Sequence, residues 1–269
     1  MMSKTTVVYE PRGKAGEYSR LAVNLYSGCS HRCEYCYAPA CTFKTRTEFS
    51  KPAPRSDIIE KIQKDARNLE MQNELGPVLL CFTCDPYQPI DDRYELTRKA
   101  IQALHACSMS VMILTKGGQR AERDFDVLTD NDWFGVTLTT LDKGSSLKWE
   151  SGAALPDARI LSLSKAHDRG IKTWVSLEPV LYPDVALEII KQTNNFVDRF
   201  KVGTLNYHPH SKTIDWHKFA WEVNDLLASL DCDYYLKEDL RNGYKLRSYI
   251  QNSAPAAMRV NLQLICRYT

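Results

Sequence analysis

The chain has 269 residues, of which 43% are apolar and 25% charged, enough for one large, ordinary soluble domain with a full core. No run of eighteen apolar residues exists, which excludes a membrane-spanning helix, and the polar first twenty residues hold no secretory signal core, so a cytoplasmic protein is expected. The net charge of +2 singles out no partner by itself, and nine cysteines, an odd number in a reducing setting, favour metal binding over a disulfide framework.

Apolar, β-rich stretches recur along the chain: "LAVNLYS" at 21–27, "PVLLCFTC" at 77–84, "SVMILTK" at 110–116, "WFGVTLTT" at 133–140, "IKTWVSLEPV" at 171–180 and "FKVGTLNYH" at 200–208. Between them lie helical patterns. Ile58, Ile59, Ile62, Ala66 and Leu69 keep a three-to-four spacing over 57–74, with Ser56 as the expected N-cap. Leu96, Ala100, Ile101 and Leu104 do the same over 92–107, and further helices fit 119–130, 157–169, 184–194 and 215–230. Pro156 and Pro183 stand where a first helical turn tolerates proline. "CDYYL" near the end alternates like a closing strand.

Six strands alternating with six helices give parallel βα units. Strands covered by helices on both faces should be almost wholly apolar, yet Thr137 and Thr139, Ser176 and Glu178, and Thr204 and Asn206 put polar groups on alternate residues. The expectation is therefore an α/β fold, a partial (β/α)6 TIM-like barrel over 20–230 with a polar lumen, an N-terminal extension over 1–19 and a C-terminal extension over 231–269. Chemistry in such folds gathers at the carboxyl ends of strands. Those ends carry Cys29, Cys84, Asp85, Lys116, Thr139, Asp142, Glu178, Asn206 and His208.

The loop after the first strand reads "SGCSHRCEYCY", which places Cys29, Cys33 and Cys36 within eight residues. Thiolates so spaced can wrap one soft metal centre. A structural zinc wants four ligands, which Cys41 or the Cys81/Cys84 pair would complete; a four-iron cluster held by three cysteines keeps one iron open for a small molecule.

Cys-x3-Cys-x-aromatic-Cys after the first strand of a βα array resembles the radical S-adenosylmethionine superfamily. The resemblance implies a [4Fe–4S] cluster on Cys29, Cys33 and Cys36, with the amino and carboxylate groups of S-adenosylmethionine on the open iron and Tyr35 beside the adenine. It further implies a 5′-deoxyadenosyl radical that takes hydrogen from substrate, and an electron donor such as flavodoxin or ferredoxin. "GCSHRCEYCY", "FTCDPYQPID" at 82–91, "TKGG" at 115–118, "VTLTT" at 136–140 and "SLEPV" at 176–180 are similar to the photolyase-like subgroup that includes spore photoproduct lyase. That likeness implies catalytic roles for Tyr35, Tyr37 and Cys84, cofactor contacts from Tyr35, Cys84, Asp85, Lys116, Thr137, Thr139, Glu178 and Asn206, and a nucleic acid or nucleotide as substrate. Two positions depart from the pattern. Cysteine and threonine replace serines at Cys84 and Thr137, and Phe82 stands where the lyase has its hydrogen-donating cysteine. The basic stretch "FKTRTEFSKPAPR" at 43–55 adjoins the cysteine loop and reads either as a phosphate contact or as a solvated connection.

Overall fold

The computed structural model describes residues 6–230 and 232–243. Seven strands form one sheet, paired side by side in chain order and all parallel. They are β1 (Leu21–Val23), β2 (Val78–Leu80), β3 (Val111–Thr115), β4 (Trp133–Thr137), β5 (Lys172–Leu177), β6 (Arg199–Val202) and β7 (Asp233–Leu236). Helices follow as expected at Ile58–Met71, Leu96–His105, Pro156–Asp168, Pro183–Thr193 and Trp216–Ser229, while the segment Gly118–Val127 winds as 3-10 helix. The partial-barrel α/β fold read from the sequence stands, with "CDYYL" supplying a seventh strand beside β6.

Several strands are shorter than their apolar stretches. β2 stops at Leu80 because the N–H groups of Phe82 and Thr83 donate to the Asn24 side chain (2.9 and 2.8 Å) instead of to a neighbouring strand. β5 stops before Glu178–Pro179, where a proline has no N–H for the ladder. The chain after β1 leaves the sheet, and Tyr26–Ser27 pairs antiparallel with Ala53–Pro54. The N-cap of the first long helix is Asp57, not Ser56, and it makes no side-chain cap hydrogen bond.

Alternation along the strands sorts the core into two sides. Val23, Leu80, Ile113, Phe134, Val175 and Phe200 belong to the large apolar core that also holds the buried helix residues Ile62, Leu104 and Leu163. Ala22, Leu79, Met112 and Trp174 form a second cluster, with Phe82 and Tyr18 packed on it. Trp174 lies across its neighbour strand because position 135 is glycine: a Cβ there would sit 2.2 Å from the indole nitrogen. The indole N–H donates to the Ile113 carbonyl at 2.9 Å. The lumen is thus plugged at this level by tryptophan, and polar side chains begin above it at Thr137, Ser176 and Glu178.

A parallel sheet that does not close leaves two unpaired edges. The segment before β1 spans that gap. Tyr9 exchanges backbone hydrogen bonds with Ala22 of β1, both 2.9 Å, and Tyr18 reaches Ser176 of β5 at 2.9 Å. Lys201 of β6 donates to the carbonyl of Tyr18 at 2.7 Å, and Glu17 accepts from the Tyr235 hydroxyl of β7 at 3.1 Å.

Candidate active site

The cysteine loop is fixed from three directions. Gly28 has φ +103°, and a Cβ there would meet the Phe49 carbonyl at 2.5 Å, the group that accepts from Cys29 N–H at 2.8 Å. Arg46 donates to the Cys33 carbonyl at 3.1 Å and to that of Glu34. Gly152 packs so closely on the loop that a Cβ would fall 2.2 Å from the Ser30 carbonyl. Glu34 N–H donates to the Trp149 carbonyl at 2.8 Å, and Cys33 bridges antiparallel to Glu150.

Burial raises the thiol pKa of all three cysteines. The Asp85 charge adds to this at Cys29, and Cys33 is pushed up to about 12. Thiolates form here only against strong positive charge, so binding a metal would expel protons. Among the described residues no three His, Cys, Asp or Glu side chains converge as a ready-made site for one metal ion. A cluster binds each thiolate to a different iron and asks only for three thiols on one cradle. The candidates to complete a zinc site are otherwise engaged or exposed: the thiols of Cys81 and Cys84 hydrogen-bond each other, and Cys41 faces solvent.

Beneath the loop, Asp85 is saturated. Its Oδ1 accepts from Tyr87 N–H (2.9 Å) and the Thr115 hydroxyl (2.7 Å), its Oδ2 from Lys116 N–H (2.7 Å), and His31 Nδ1 lies 3.4 Å from that oxygen. Burial raises its pKa, but the His31 charge and these donors win and hold it near 2. Asp85 therefore ties the loop to β3, with no lone pair left for a ligand. Cys84 is buried; the backbone of Tyr26 and Leu25 hydrogen-bonds its sulfur, and its charge is felt at Cys29.

Behind the loop lies a buried ion pair that no motif in the chain signals. Glu150 and Arg159, 1% and 0% exposed, meet at 2.6 Å. Tyr35 donates its hydroxyl to Glu150, and the half-buried Lys116 ammonium lies 5.8 Å from the Tyr35 ring centre. Burial raises the Glu150 pKa, yet Arg159 and Lys116 overcome this and keep it ionised. Arg159 also donates to the Thr137 carbonyl at 3.0 Å. The ion pair thereby anchors Tyr35 through Glu150 and Thr137 through Arg159.

Across the lumen a second carboxylate, Glu178, accepts from the Tyr18 hydroxyl and from Lys237 Nζ at 2.9 and 3.0 Å, and it packs against Gly203, where no Cβ would fit. Tyr37 is 48% exposed and feels the charges of both Cys36 and Glu178. Asn206 is tied to the N-terminal segment through Lys14 at 3.1 Å. His208 caps the turn Pro209–Thr213 and packs on Trp149. Tyr18, Lys201 and Lys237 line this side, and no motif marked them: they come from three separate segments, the stretch before β1, β6 and the end of β7.

Four buried side-chain atoms near these groups have no protein partner: Ser30 Oγ and His31 Nε2 in the loop, and Thr139 Oγ1 and Thr140 Oγ1 past the end of β4. A buried polar atom left unpaired costs about 1–3 kcal/mol. Orphans of this kind beside three thiols and an ammonium fit a site completed by an anionic cluster and a polar cofactor.

A family model described as the radical SAM superfamily matches residues 23–197, from β1 to just before β6. The chain belongs to the radical SAM superfamily. Its fold is similar to a double mutant of spore photoproduct lyase with bound AdoMet and dinucleoside spore photoproduct, at a TM-score of 0.67 and 14% identity over 87% of this chain and 79% of that one. Streptococcus suis SuiB bound to S-adenosylmethionine has a TM-score of 0.64 and 14% identity, covering 84% of this chain and 52% of that one. Among curated relatives, the uncharacterized protein Mb2609c of Mycobacterium bovis is 30% identical over 172 residues, 60% of this chain and 50% of the relative. The uncharacterized protein MJ0683 of Methanocaldococcus jannaschii is 24% identical over 234 residues, 86% of this chain and 80% of the relative. The chain spans about half the length of the mycobacterial relatives it matches. No helix among the described residues of this radical SAM protein is long and apolar enough to cross a membrane.

Proposed function

We propose that Cys29, Cys33 and Cys36 hold a [4Fe–4S] cluster whose open iron takes S-adenosylmethionine, and that the substrate is a nucleic acid or nucleotide. The observation that carries this reading is the set of three thiols on one clamped loop at the carboxyl end of β1, with partnerless buried hydroxyls at the end of β4. When bound, the cluster and cofactor supply one-electron cleavage to a 5′-deoxyadenosyl radical that takes a hydrogen atom from substrate.

The protein's own part is to bind and to orient. Lys116, charged and half-buried, pairs with the cofactor carboxylate. Tyr35, its hydroxyl committed to Glu150, offers a fixed ring face. Thr139 supplies a hydroxyl to the cofactor, and Thr137, held through its carbonyl by Arg159, sets the position of that strand end. Asp85 acts through Lys116 and His31 as a positioning residue. Tyr37 and Glu178 lie further out, where substrate enters. A flavodoxin or ferredoxin supplies the electron.

Phe82 argues for an outcome other than repair of the spore lesion by the lyase's route. A phenyl ring gives up no hydrogen atom to a substrate radical, and here it packs edge-on against Tyr18 at 5.8 Å. The deciding experiment is anaerobic reconstitution with iron and sulfide, then addition of reductant and S-adenosylmethionine. Production of 5′-deoxyadenosine is expected, with Cys41→Ala retaining its cluster. A preparation with a confirmed four-iron centre and no 5′-deoxyadenosine overturns the reading.

A further inference from the structure

Among the described residues three aromatic side chains stand out in solvent: Tyr37 at 48%, Phe43 at 98% and Tyr207 at 90% exposure. All three lie on loops at the carboxyl ends of strands, two after β1 and one after β6, on the face that carries the cysteine loop. The other large apolar side chains in solvent, Met71, Leu75, Leu147 and Leu161, are aliphatic. Phe43 and Tyr207 also occupy left-handed backbone positions, at φ +54° and +59°. Such a conformation is unfavourable for a bulky residue and persists only where the surroundings impose it. A ring presented almost wholly to water from a strained backbone position contributes nothing to the core.

The charge around Phe43 is as unusual. From residue 28 to 55 the chain carries Arg32, Lys44, Arg46, Lys51 and Arg55 against Glu34 and Glu48. Glu48 makes a capping box with Thr45 and feels the charges of Lys44 and Lys51. Among the described residues none of the five cations pairs with a carboxylate; Lys44, Arg46 and Arg55 donate to neutral oxygens of Ser27, Cys33, Glu34 and Tyr26. Five cations against two carboxylates leave the stretch that carries this exposed ring at a net +3, which asks for an occupant with both negative charge and flat apolar faces.

We propose that this rim docks an unpaired DNA strand, Phe43 and Tyr207 each stacking a base and Lys51 and Arg32 taking phosphates. The proposal rests on the nucleic-acid reading above and gives that substrate its landing surface. Base stacking on an aromatic ring is sequence-tolerant, and phosphate contacts show themselves as salt dependence. The Lys14 ammonium lies 5.7 Å from the Tyr207 ring centre and is paired with Asp239, so this second platform offers a ring rather than free charge.

The test is fluorescence anisotropy with a labelled twelve-nucleotide oligothymidylate, on cluster-loaded full-length protein, titrated over a range of salt. Phe43→Ala and Tyr207→Ala should each weaken binding by about 5- to 150-fold. Lys51→Ala should weaken it and shrink the slope of log affinity against log salt by about 0.7. Dextran sulfate, a polyanion without bases, should lose affinity in Lys51→Ala but not in the aromatic variants. The side chains altered are exposed, and melting curves of the variants should match the parent.

Unchanged oligonucleotide affinity in both aromatic variants overturns the proposal. So does equal weakening of dextran sulfate binding by Phe43→Ala, or tighter binding of duplex than of single strand. Unchanged oligonucleotide affinity joined to slower cluster reduction by flavodoxin in Lys51→Ala would assign the face to an acidic electron carrier instead. 5′-Deoxyadenosine formation is measured separately in the absence of DNA. Loss of radical chemistry and loss of docking therefore appear as different failures.

Discussion

Two carboxylates each hold a tyrosine hydroxyl and a cation, and they are built for different duties. Glu150, with Arg159 and Tyr35, is sealed behind the cysteine loop at 1% exposure. Glu178, with Tyr18 and Lys237, is half-buried, with 18% of its side chain exposed, at the far wall of the lumen. A sealed ion pair holds geometry and costs heavily when halved. A half-open one keeps a wet edge that substrate can reach. The same three functional groups thus serve as a pillar on one side and as a lining on the other, and burial decides which.

Breaking the pillar should give the largest effect. Glu150→Ala leaves the Arg159 guanidinium uncompensated at full burial and should cost about 3–5 kcal/mol, read from denaturant midpoints, with loss of iron uptake. Glu178→Gln should cost about 1–2 kcal/mol, because Glu17 lies 3.6 Å from Lys237 and still balances it, and iron uptake should stay intact. Equal losses from the two substitutions would erase the distinction.

Gly152→Ala sharpens the same contrast without touching a charge. The new methyl overlaps the Ser30 carbonyl, so the cysteine loop must move; about 1–3 kcal/mol of stability and most of the cluster absorbance should be lost together. Next in size are the hydroxyl deletions. Tyr35→Phe removes a donor from a sealed carboxylate and should cost about 1–2 kcal/mol, whereas Tyr18→Phe, with water able to replace it at Glu178, should cost about half as much in the same unfolding assay.

The smallest effect is a slope. Lys201 sits under the Tyr18 ring with Arg199, Lys237, Asp233 and Glu17 around it, and burial, then the charges of Arg199 and Lys237, bring its pKa down to about 7. The unfolded chain holds this proton up to the ordinary lysine range and the folded chain releases it near 7, so between those limits the unfolded state binds more protons. Stability should therefore rise with pH from about 7 upward and be flat below. Lys201→Met should remove that rise; a slope that survives in the variant places its source elsewhere.

Local patterns in the chain carried a great deal. The apolar stretches, the alternation of "CDYYL" and the three-to-four spacings located all seven strands and the main helices, since burial of one face needs only short-range periodicity. The cysteine spacing exposed the metal loop for the same reason: its ligands are near neighbours in the chain. Alternation put Thr137, Ser176 and Glu178 on the lumen side. Strand ends were less legible, because β2 and β5 stop where Asn24 and Pro179 intervene. Asp85 stood at the correct strand end but is consumed by protein donors, a matter of four partners from three segments.

What the sequence by itself determined is the βα rhythm, the cysteine loop and the basic stretch that follows it. Only the tertiary structure decided that Glu150 and Arg159 would be the loop's support, that Tyr18, Lys201 and Lys237 would furnish the opposite wall, and that Phe43 and Tyr207 would share one rim. Those relations join residues from 9 to more than 200 positions apart, and a desolvated charge or an exposed ring acquires its meaning from what surrounds it in space. Periodicity records which face of an element is buried; it holds no record of which distant side chain will be found there.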